Sequence, residues 1–463
     1  MVIGLPQGGL TPAWERDFAA YPPAGVIVFR RDFESLEALR ALTARLRELA
    51  RPRRLFISVD EEGGFVSQLG GLLTVPPNAT LLARGAAPGD IARASRVTGE
   101  RLRVLGVDWV FAPVADVHSE PSNPVIGPRA FGTAPEAVGA AVREALEGFS
   151  AAGVASCLKH FPGHGDTQTD SHLALPVCRA DAATLDRREL APFRANLNAD
   201  SIMSAHVVYP ALDPERPATH SRAIVHDLLR GRLGYQGVCI TDALEMKGAS
   251  GTSGLTDAAR LALEAGCDLL LFAFHDEEVR RTRLALAKAL VDGHIDRENF
   301  DAARPRLEAF DRKRPEPSAE ELARPIETLR PPDWESRLTS IIERGIRTSG
   351  SALPAGPVEV TEPEWPAGRS LQAELEALGV TVRASAPAAI EVIASRVPLA
   401  PAQMSELRAR CAKRPTALVA MLADGFLESV PEAAARISAC DATPLTRRVV
   451  AGRLARLLSG ARA

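Results

Sequence analysis

The 463-residue sequence lacks several features that would assign a protein to a class at once. Its six cysteines are widely scattered and form no CxxC pair. Cys157, Cys239 and Cys267 fall in or next to apolar runs, so we predict buried free thiols. No apolar run approaches the roughly 20 residues of a membrane span. The formal net charge is only -3, and no long run of one sign occurs. We therefore predict neither nucleic acid nor a membrane among its partners.

The start of the chain also lacks the basic segment and apolar core of a secretory signal, so we expect a cytoplasmic protein. Hydrophobic residues make up 46% of the sequence and charged residues 24%, as in ordinary globular proteins. A chain of this length can bury a sizeable core and form two domains. Nothing in the composition indicates the oligomeric state.

Short apolar runs recur along the first 300 residues, with helical patterns between most of them. Eight such runs alternating with helices predict a (β/α)8 barrel. A doubly wound sheet is less favoured, because Gly4-Leu5-Pro6-Gln7-Gly8-Gly9 lacks the spacing of a phosphate-binding turn. The predicted strands are Val2–Leu5, Gly25–Phe29, Leu55–Val59, Trp109–Val114, Val154–Leu158, Ile202–Ala205, Val238–Thr241 and Leu269–Phe274.

Two segments between these runs show helix signals. The first has leucines at three- and four-residue spacing, which predicts one apolar helical face. These are Leu36, Leu39, Leu42, Leu46 and Leu49. In the second, Thr133-Ala134-Pro135-Glu136 resembles a capping box and predicts a helix that runs towards Ala152.

The sequence predicts three regions, which are a barrel over 1–306, a linker with short helices over 307–345 and a small α/β domain over 346–463. The linker prediction comes from charge and proline, as in Arg330-Pro331-Pro332. Strand-like runs at Val358–Val360, Val380–Val382, Ile390–Ile393 and Ala417–Leu422 alternate with helices such as Ser370–Leu378. The last region contains no histidine, so we expect a structural or dimerisation module.

Polar side chains follow five successive predicted strands. They are Asp60, Asp116, the pair Lys159 and His160, His206, and Asp242. A single aspartate after a strand often only caps a turn or a helix. In a (β/α)8 barrel, however, catalytic groups come from the ends of several strands, so the repeated pattern predicts an active site at that edge.

The densest polar segment is the loop from Lys159 to His172, which contains three histidines and two aspartates. One interpretation is a metal site with ligands drawn from His160, His164, Asp166, Asp170 and His172. The spacing matches no zinc motif, and Pro162 with two glycines favours a loop with its own conformation. So many titratable groups on a turn-rich loop therefore predict an active site, and a metal site is the less favoured interpretation of it.

Five motifs resemble those of glycoside hydrolase family 3, specifically its bacterial β-N-acetylglucosaminidases. They are VDEEGG, NPVIGPRAFG, KHFPGHGDTQTDSH, SAHVVYPALD and ITDALEMKG, in family order over roughly residues 1–300. The end of the chain is weakly similar to the family's C-terminal α/β sandwich. The resemblance implies a cofactor-free enzyme that cleaves an N-acetylglucosaminide carbohydrate with retention of configuration.

The resemblance also implies catalytic roles. Asp242 is expected to be the nucleophile, with a helix N-cap as its structural alternative. His172 is expected to be the acid/base and Asp170 its partner. An imidazole with a pKa near ~6.5 lends and recovers a proton near neutral pH, and a carboxylate fixes its tautomer. His206, Asp116 and His164 are expected to support these groups.

Sugar binding is implied for five further positions, namely Asp60, Arg129, Lys159, His160 and Gln68. Arg129 is expected near the acetamido group, or alternatively in a salt bridge within its own loop. The family commonly has DQEGGRVQR where this chain has DEEGGFVSQ. Gln68 therefore replaces an arginine and supplies a hydrogen bond but no charge.

Three alternatives to this enzyme remain open. A family 3 β-glucosidase or β-xylosidase usually takes its acid from the C-terminal region, and the Asp170-Ser171-His172 motif argues against it. Metal-dependent hydrolysis is the second. A catalytically weakened amino-sugar-binding protein is the third, motivated by Gln68 and the short C-terminal domain. The favoured substrate is a muropeptide in cytoplasmic peptidoglycan recycling, which follows from the resemblance alone.

Overall fold

A computed structural model of the chain describes residues 1–169, 175–251, 254–295 and 297–459. These residues divide into two compact units. Unit 1 consists of Met1–Glu62, Ile91–Glu120 and Thr133–Leu329. Unit 2 consists of Gly63–Asp90, Pro121–Gly132 and Arg330–Ala463.

Unit 1 contains a closed barrel of eight parallel strands, which confirms the predicted (β/α)8 fold. Each predicted apolar run overlaps one of these strands. They are β1 (Val2–Ile3), β2 (Gly25–Ile27), β3 (Phe56–Val59), β4 (Trp109–Val110), β5 (Ala155–Phe161), β6 (Ser201–Ser204), β7 (Val238–Ala243) and β8 (Leu269–Phe272). Consecutive strands are neighbours, and β8 closes the barrel by pairing with β1 at Val2 and Leu271.

Helices separate most of the barrel strands, and further helices follow β8. They are Pro12–Ala20, Leu36–Ala50, Asp90–Val104, Pro135–Ala151, Ala182–Thr184, Leu185–Glu189, Leu190–Arg194, Ala223–Arg232, Lys247–Ser250, Leu255–Ala265, Glu277–Val291, Arg297–Lys313 and Ala319–Ala323, with 3-10 turns at Arg30–Asp32, Ala218–His220 and Ile326–Leu329. Short strands also occur at Glu61–Gly63, Val208–Tyr209 and Asp213–Pro217. The sequence of alternating strands and helices places the carboxyl ends of all eight barrel strands at one edge.

The helix Leu36–Ala50 shows how sequence sets local structure here. The side chain of Ser35 caps it by accepting a hydrogen bond from the Ala38 N–H at 3.1 Å. Leu36, Leu39 and Leu46 are buried, as their spacing predicts. The predicted capping box at Thr133 was wrong, because the helix begins at Pro135 and Ala134 is its uncapped N-cap residue. Proline supplies a preset φ at the first helical position in place of a side-chain cap.

The barrel interior is filled by apolar side chains from alternate strand positions. The core cluster consists of Val2, Ile27, Phe56, Trp109, Phe111, Ala155, Cys157, Met203, Val238, Ile240, Leu269, Leu271 and Phe310. All six cysteines of the chain are free and buried, which confirms the prediction for Cys157, Cys239 and Cys267. The barrel interior is therefore a packed core and not a pore.

Unit 2 contains a smaller five-stranded sheet, which confirms the predicted α/β domain. Its strands are β9 (Arg347–Gly350), β10 (Val358–Thr361), β11 (Ala388–Ile393), β12 (Thr416–Ala420) and β13 (Ala435–Ser438), in the order β9-β13-β12-β11-β10. Only β9 runs antiparallel to its neighbour. The unit also holds a strand at Val66–Ser67, helices at Ala79–Gly85, Trp334–Gly345, Leu371–Ala377, Pro401–Lys413 and Pro444–Leu458, and 3-10 turns at Gly127–Arg129 and Leu427–Ser429.

The two units differ from the predicted linear division. The helix Arg297–Lys313 crosses the predicted boundary at residue 306, and its Phe310 belongs to the barrel core. Two early segments, Gly63–Asp90 and Pro121–Gly132, cluster with the C-terminal part of the chain. The predicted strand Val380–Val382 forms only a single bridge, from Val382 to Val358.

Candidate active site

Five successive barrel strands end in the polar side chains that the sequence indicates, and all of these lie in unit 1. Asp60 follows β3, Asp116 lies beyond β4, and His206 follows β6. Lys159 and His160 lie within β5, near its end, rather than after it. Asp242 likewise lies in the last residues of β7.

Lys159 is held between two carboxylates. Its side chain is 2% exposed, and its Nζ lies 2.6 Å from Asp60 Oδ1 and 2.6 Å from Glu62 Oε1. Glu62 was not predicted, although the VDEEGG motif that contains it directly follows β3. The arrangement fixes a cation and two acceptors at the strand ends, which suits a ligand rich in hydroxyl groups.

Asp116 organises the start of the polar loop. It is buried, and its two oxygens accept from the His160 N–H at 3.0 Å, the His164 N–H at 2.8 Å and His160 Nδ1 at 2.7 Å. Burial raises the pKa of Asp116, but His160 and His164 outweigh it, so the pKa lies below its usual value. An ionised Asp116 therefore fixes the His160 ring and the backbone of the loop, as a supporting group should.

His206 fixes the chain beside Asp242. Its Nε2 lies 3.0 Å from the carbonyl oxygen of Ala243, and its Nδ1 lies 2.8 Å from Thr219 Oγ1. Because a carbonyl only accepts hydrogen bonds, Nε2 must carry a proton. Burial lowers the pKa of His206, while Asp242 opposes that shift. Thr219 was not indicated by any sequence signal.

Asp242 is an ionised carboxylate at the end of β7. Its Oδ1 accepts a hydrogen bond from the Ala243 N–H at 2.8 Å. Burial raises the pKa of Asp242, but His160, His206, the Ala243 N–H and Lys159 together lower it below its usual value. An ionised carboxylate is the form that attacks as a nucleophile.

The loop beyond His160 is held at several points. The Tyr209 hydroxyl donates to the Gly163 carbonyl at 2.6 Å, and Arg188 Nη2 donates to Asp166 Oδ2 at 2.5 Å. A Cβ on Gly165 would lie 1.6 Å from the Val117 carbonyl oxygen, so only glycine fits there. The predicted acid/base residues Asp170 and His172 lie outside the described residues.

Two predicted sugar-binding residues belong to unit 2. Arg129 lies in the turn Gly127–Arg129 and donates from Nη1 to the Val125 carbonyl at 3.1 Å. Gln68 directly follows the short strand Val66–Ser67 and is half-buried. Their roles towards a sugar stay predictions.

Three of the five candidate metal ligands lie in the described part of the chain, and each of them has another partner. His160 Nδ1 binds Asp116, His164 Nδ1 lies 3.0 Å from Thr167 Oγ1, and Asp166 pairs with Arg188. Within the described ranges, no group of three or more His, Cys, Asp or Glu residues is arranged to hold a metal. In the same part of the chain, no helix is both long and apolar enough to cross a membrane.

Known proteins that resemble this chain identify its family. The family described as glycosyl hydrolase family 3 N-terminal domain matches residues 14–309. A β-hexosaminidase of Chromobacterium violaceum is 40% identical over 296 residues, which cover 62% of this chain and 82% of that protein.

Two solved structures extend this similarity. A family 3 β-N-acetylglucosaminidase from a Paenibacillus species has a TM-score of 0.87 and 31% identity, covering 98% of this chain and 95% of its own. NagZ of Neisseria gonorrhoeae, solved with N-trifluoroacetyl-D-glucosamine, is 31% identical with a TM-score of 0.60, covering 74% of this chain and 96% of its own. These matches confirm the resemblance seen in the motifs. The chain is a glycoside hydrolase of the β-N-acetylhexosaminidase type, and it belongs to glycosyl hydrolase family 3.

Proposed function

We propose that this glycoside hydrolase is a retaining exo-β-N-acetylglucosaminidase with Asp242 as its nucleophile. The observation that carries the proposal is the carboxylate of Asp242 at the end of β7. His160, His206 and Lys159 help to lower its pKa below the usual value, so the carboxylate is ionised. A retaining glycosidase needs such a carboxylate on one face of the sugar. The names of the Chromobacterium and Paenibacillus relatives support the substrate class.

The proposed reaction has two steps. In the first, Asp242 attacks the anomeric carbon while protonated His172 gives its proton to the departing oxygen. In the second, neutral His172 takes a proton from water, which attacks the same carbon and releases Asp242. Asp170 would hold the His172 ring in the tautomer that both steps require.

Binding of the sugar would use the groups at the strand ends. Lys159 donates and Asp60 accepts, a combination that suits neighbouring hydroxyl groups. His160 would add a further contact from the same strand. Arg129 is proposed to recognise the acetamido group, and Gln68 to make the contact that an arginine usually makes in the family.

The natural substrate is proposed to be a muropeptide or another N-acetylglucosaminide released during cell-wall recycling in the cytoplasm. This proposal follows from the family and the relatives' names, rather than from any contact in the site. It predicts release of a single N-acetylglucosamine from the non-reducing end of a disaccharide.

The decisive test compares nitrophenyl β-N-acetylglucosaminide with nitrophenyl β-glucoside, using the wild type, Asp242→Ala and His172→Ala. We expect the N-acetylglucosaminide to be much the better substrate, and Asp242→Ala to lose at least about 1000-fold in kcat. A preference for the glucoside would favour a β-glucosidase. Binding of N-acetylglucosamine without turnover would favour a sugar-binding protein.

A further inference from the structure

Arg188 and Glu189 lie against the loop of residues 162–169, and the proposed reaction assigns them no role. Glu189 ends the short helical segment Leu185–Glu189, which has the π-type hydrogen-bond pattern often found near functional sites. Its side chain is fully buried, and its Oε1 accepts from Arg188 Nε at 2.6 Å. The same guanidinium donates from Nη2 to Asp166 Oδ2 at 2.5 Å. One arginine thus ties the loop to the helix.

Glu189 also packs against the loop through its second carboxylate oxygen, Oε2. In the described part of the chain, Oε2 is buried and has no hydrogen-bond partner. A Cβ on Gly163 would lie 2.8 Å from that oxygen and 2.8 Å from Glu189 Cβ, so the loop backbone packs directly on this side chain. Gly163 has a φ of +135° and is held from another side by the Tyr209 hydroxyl.

We propose that Arg188 and Glu189 are positioning residues for the loop, and that they hold it most firmly when Glu189 is neutral. A buried carboxylate oxygen without a partner costs more free energy than a neutral carboxyl group in the same place. When Glu189 is neutral, the charge of Arg188 acts on Asp166 alone. When Glu189 ionises, it competes with Asp166 for the same guanidinium.

The groups that surround Glu189 shift the ionisation of its side chain to near neutral pH. Burial raises the pKa of Glu189, Arg188 lowers it, and Asp116 and Asp166 raise it further, to about 7. Cys178 and Tyr209 also face this group, but burial raises the pKa of Cys178 to about 12 and that of Tyr209 well above its usual value. Both therefore stay neutral while Glu189 titrates.

The link to catalysis rests on the proposed function. Asp166 precedes the proposed dyad residue Asp170 in the same polar segment. Small displacements of a catalytic group, of about 1 Å, cost up to about 100-fold in rate. A looser Arg188–Asp166 contact above neutral pH would therefore lower kcat, with little effect on KM.

Hydrogen exchange of peptides within residues 162–169, without substrate, tests the positioning directly. After correction for intrinsic exchange, we expect protection in the wild type to fall between about pH 6 and about pH 8, and in Glu189→Gln to stay constant. Arg187→Gln, which changes an exposed neighbour, should behave like the wild type. Arg188→Lys should lower protection already at about pH 6, because lysine lacks the planar fork of donors that contacts the Glu189 and Asp166 side chains at once. Equal pH dependence in the wild type and Glu189→Gln would overturn the proposal.

Kinetics test the consequence. At about pH 8 we expect Glu189→Gln to exceed the wild type in kcat by about threefold, with KM changed less than about twofold. An equal or lower kcat, in a variant with normal thermal unfolding, would overturn the link to catalysis. If exchange follows the expectation but no N-acetylglucosaminide is cleaved, the proposed function fails and the positioning role stands.

Discussion

Side chains at the strand ends have two roles, in stability and in binding. The contacts that hold such a side chain in place also determine which ligand groups it can bind. Lys159 is the clearest case. It is almost fully buried and holds its charge between Asp60 and Glu62, where it is proposed to meet the sugar. A buried charge needs its partners, so such a residue cannot be altered for binding without a cost in stability.

Lys159→Met should therefore destabilise the protein as well as impair sugar binding. Methionine keeps most of the volume but leaves two carboxylates without their cation, and we expect a loss of about 3 kcal/mol in the free energy of unfolding. Urea unfolding at neutral pH measures this loss. Lys247→Met removes an exposed lysine and should change stability by less than about 0.5 kcal/mol. Similar small effects for both variants would contradict the role of the buried pair.

His220 should make stability depend on pH. Burial lowers its pKa to about 4, with smaller contributions from His206 and Arg216. The unfolded chain takes up a proton near ~6.5, whereas the folded chain resists protonation until about pH 4. This contribution is present above that range and is lost as the pH falls through it, by up to about 3 kcal/mol. His220→Gln should remove this part of the acid sensitivity in urea unfolding, and an unchanged pH dependence would contradict the assignment.

Among the elements, the helix Arg297–Lys313 shows best why a sequence can mislead. The predicted linker includes its charged last residues, 307–313, yet Phe310 packs with ring centroids 4.9 Å from Phe56 and 5.1 Å from Trp109. The helix thus contributes an aromatic side chain to the barrel core. Its few large apolar residues, Phe300, Leu307 and Phe310, stand among charges and give too weak a pattern to reveal this contact from the sequence.

Phe310→Ala should therefore destabilise the barrel. Removing a buried aromatic side chain from a packed core costs about 3 kcal/mol or more. Phe300 lies on the same helix and is 45% exposed, so Phe300→Ala is a matched control that we expect to cost less than about 0.5 kcal/mol. Thermal unfolding of the two variants measures the difference. Equal midpoints would show that the helix does not contribute to the core as described.

The strands and much of the site could be predicted because they depend on local patterns. Apolar runs indicate buried strands, and polar residues that follow them lie at one edge of a barrel. Thr219 and Glu189 could not be predicted, because their contacts come from tertiary packing, and neither residue directly follows a barrel strand or lies in a recognised motif. The strands at the end of the chain were also harder to predict, because β9 and β13 contain arginine and serine and few apolar residues.

At the scale of the whole molecule, the division into units could not be predicted from a linear sequence. Gly63–Asp90 and Pro121–Gly132 belong to the same unit as the C-terminal sheet, although barrel segments separate them in the chain. The predicted sugar-binding residues Gln68 and Arg129 therefore belong to unit 2, whereas Lys159 and Asp242 belong to unit 1.

The proposed chemistry uses side chains for both proton transfer and nucleophilic attack, so the whole enzyme should work without an added metal. We expect the rate on nitrophenyl β-N-acetylglucosaminide to be unchanged in excess chelator. A loss of activity that zinc restores would favour metal-dependent hydrolysis instead.

The central claim, that Asp242 forms a covalent bond to the sugar, is tested most directly by trapping the intermediate. A fluorinated N-acetylglucosaminyl fluoride slows the second step more than the first, so the glycosyl-enzyme accumulates. Peptide mass mapping of the labelled protein then locates the sugar. We predict one sugar on the peptide that contains Asp242. A sugar on another carboxylate, or turnover of the reagent without any adduct, would contradict the account.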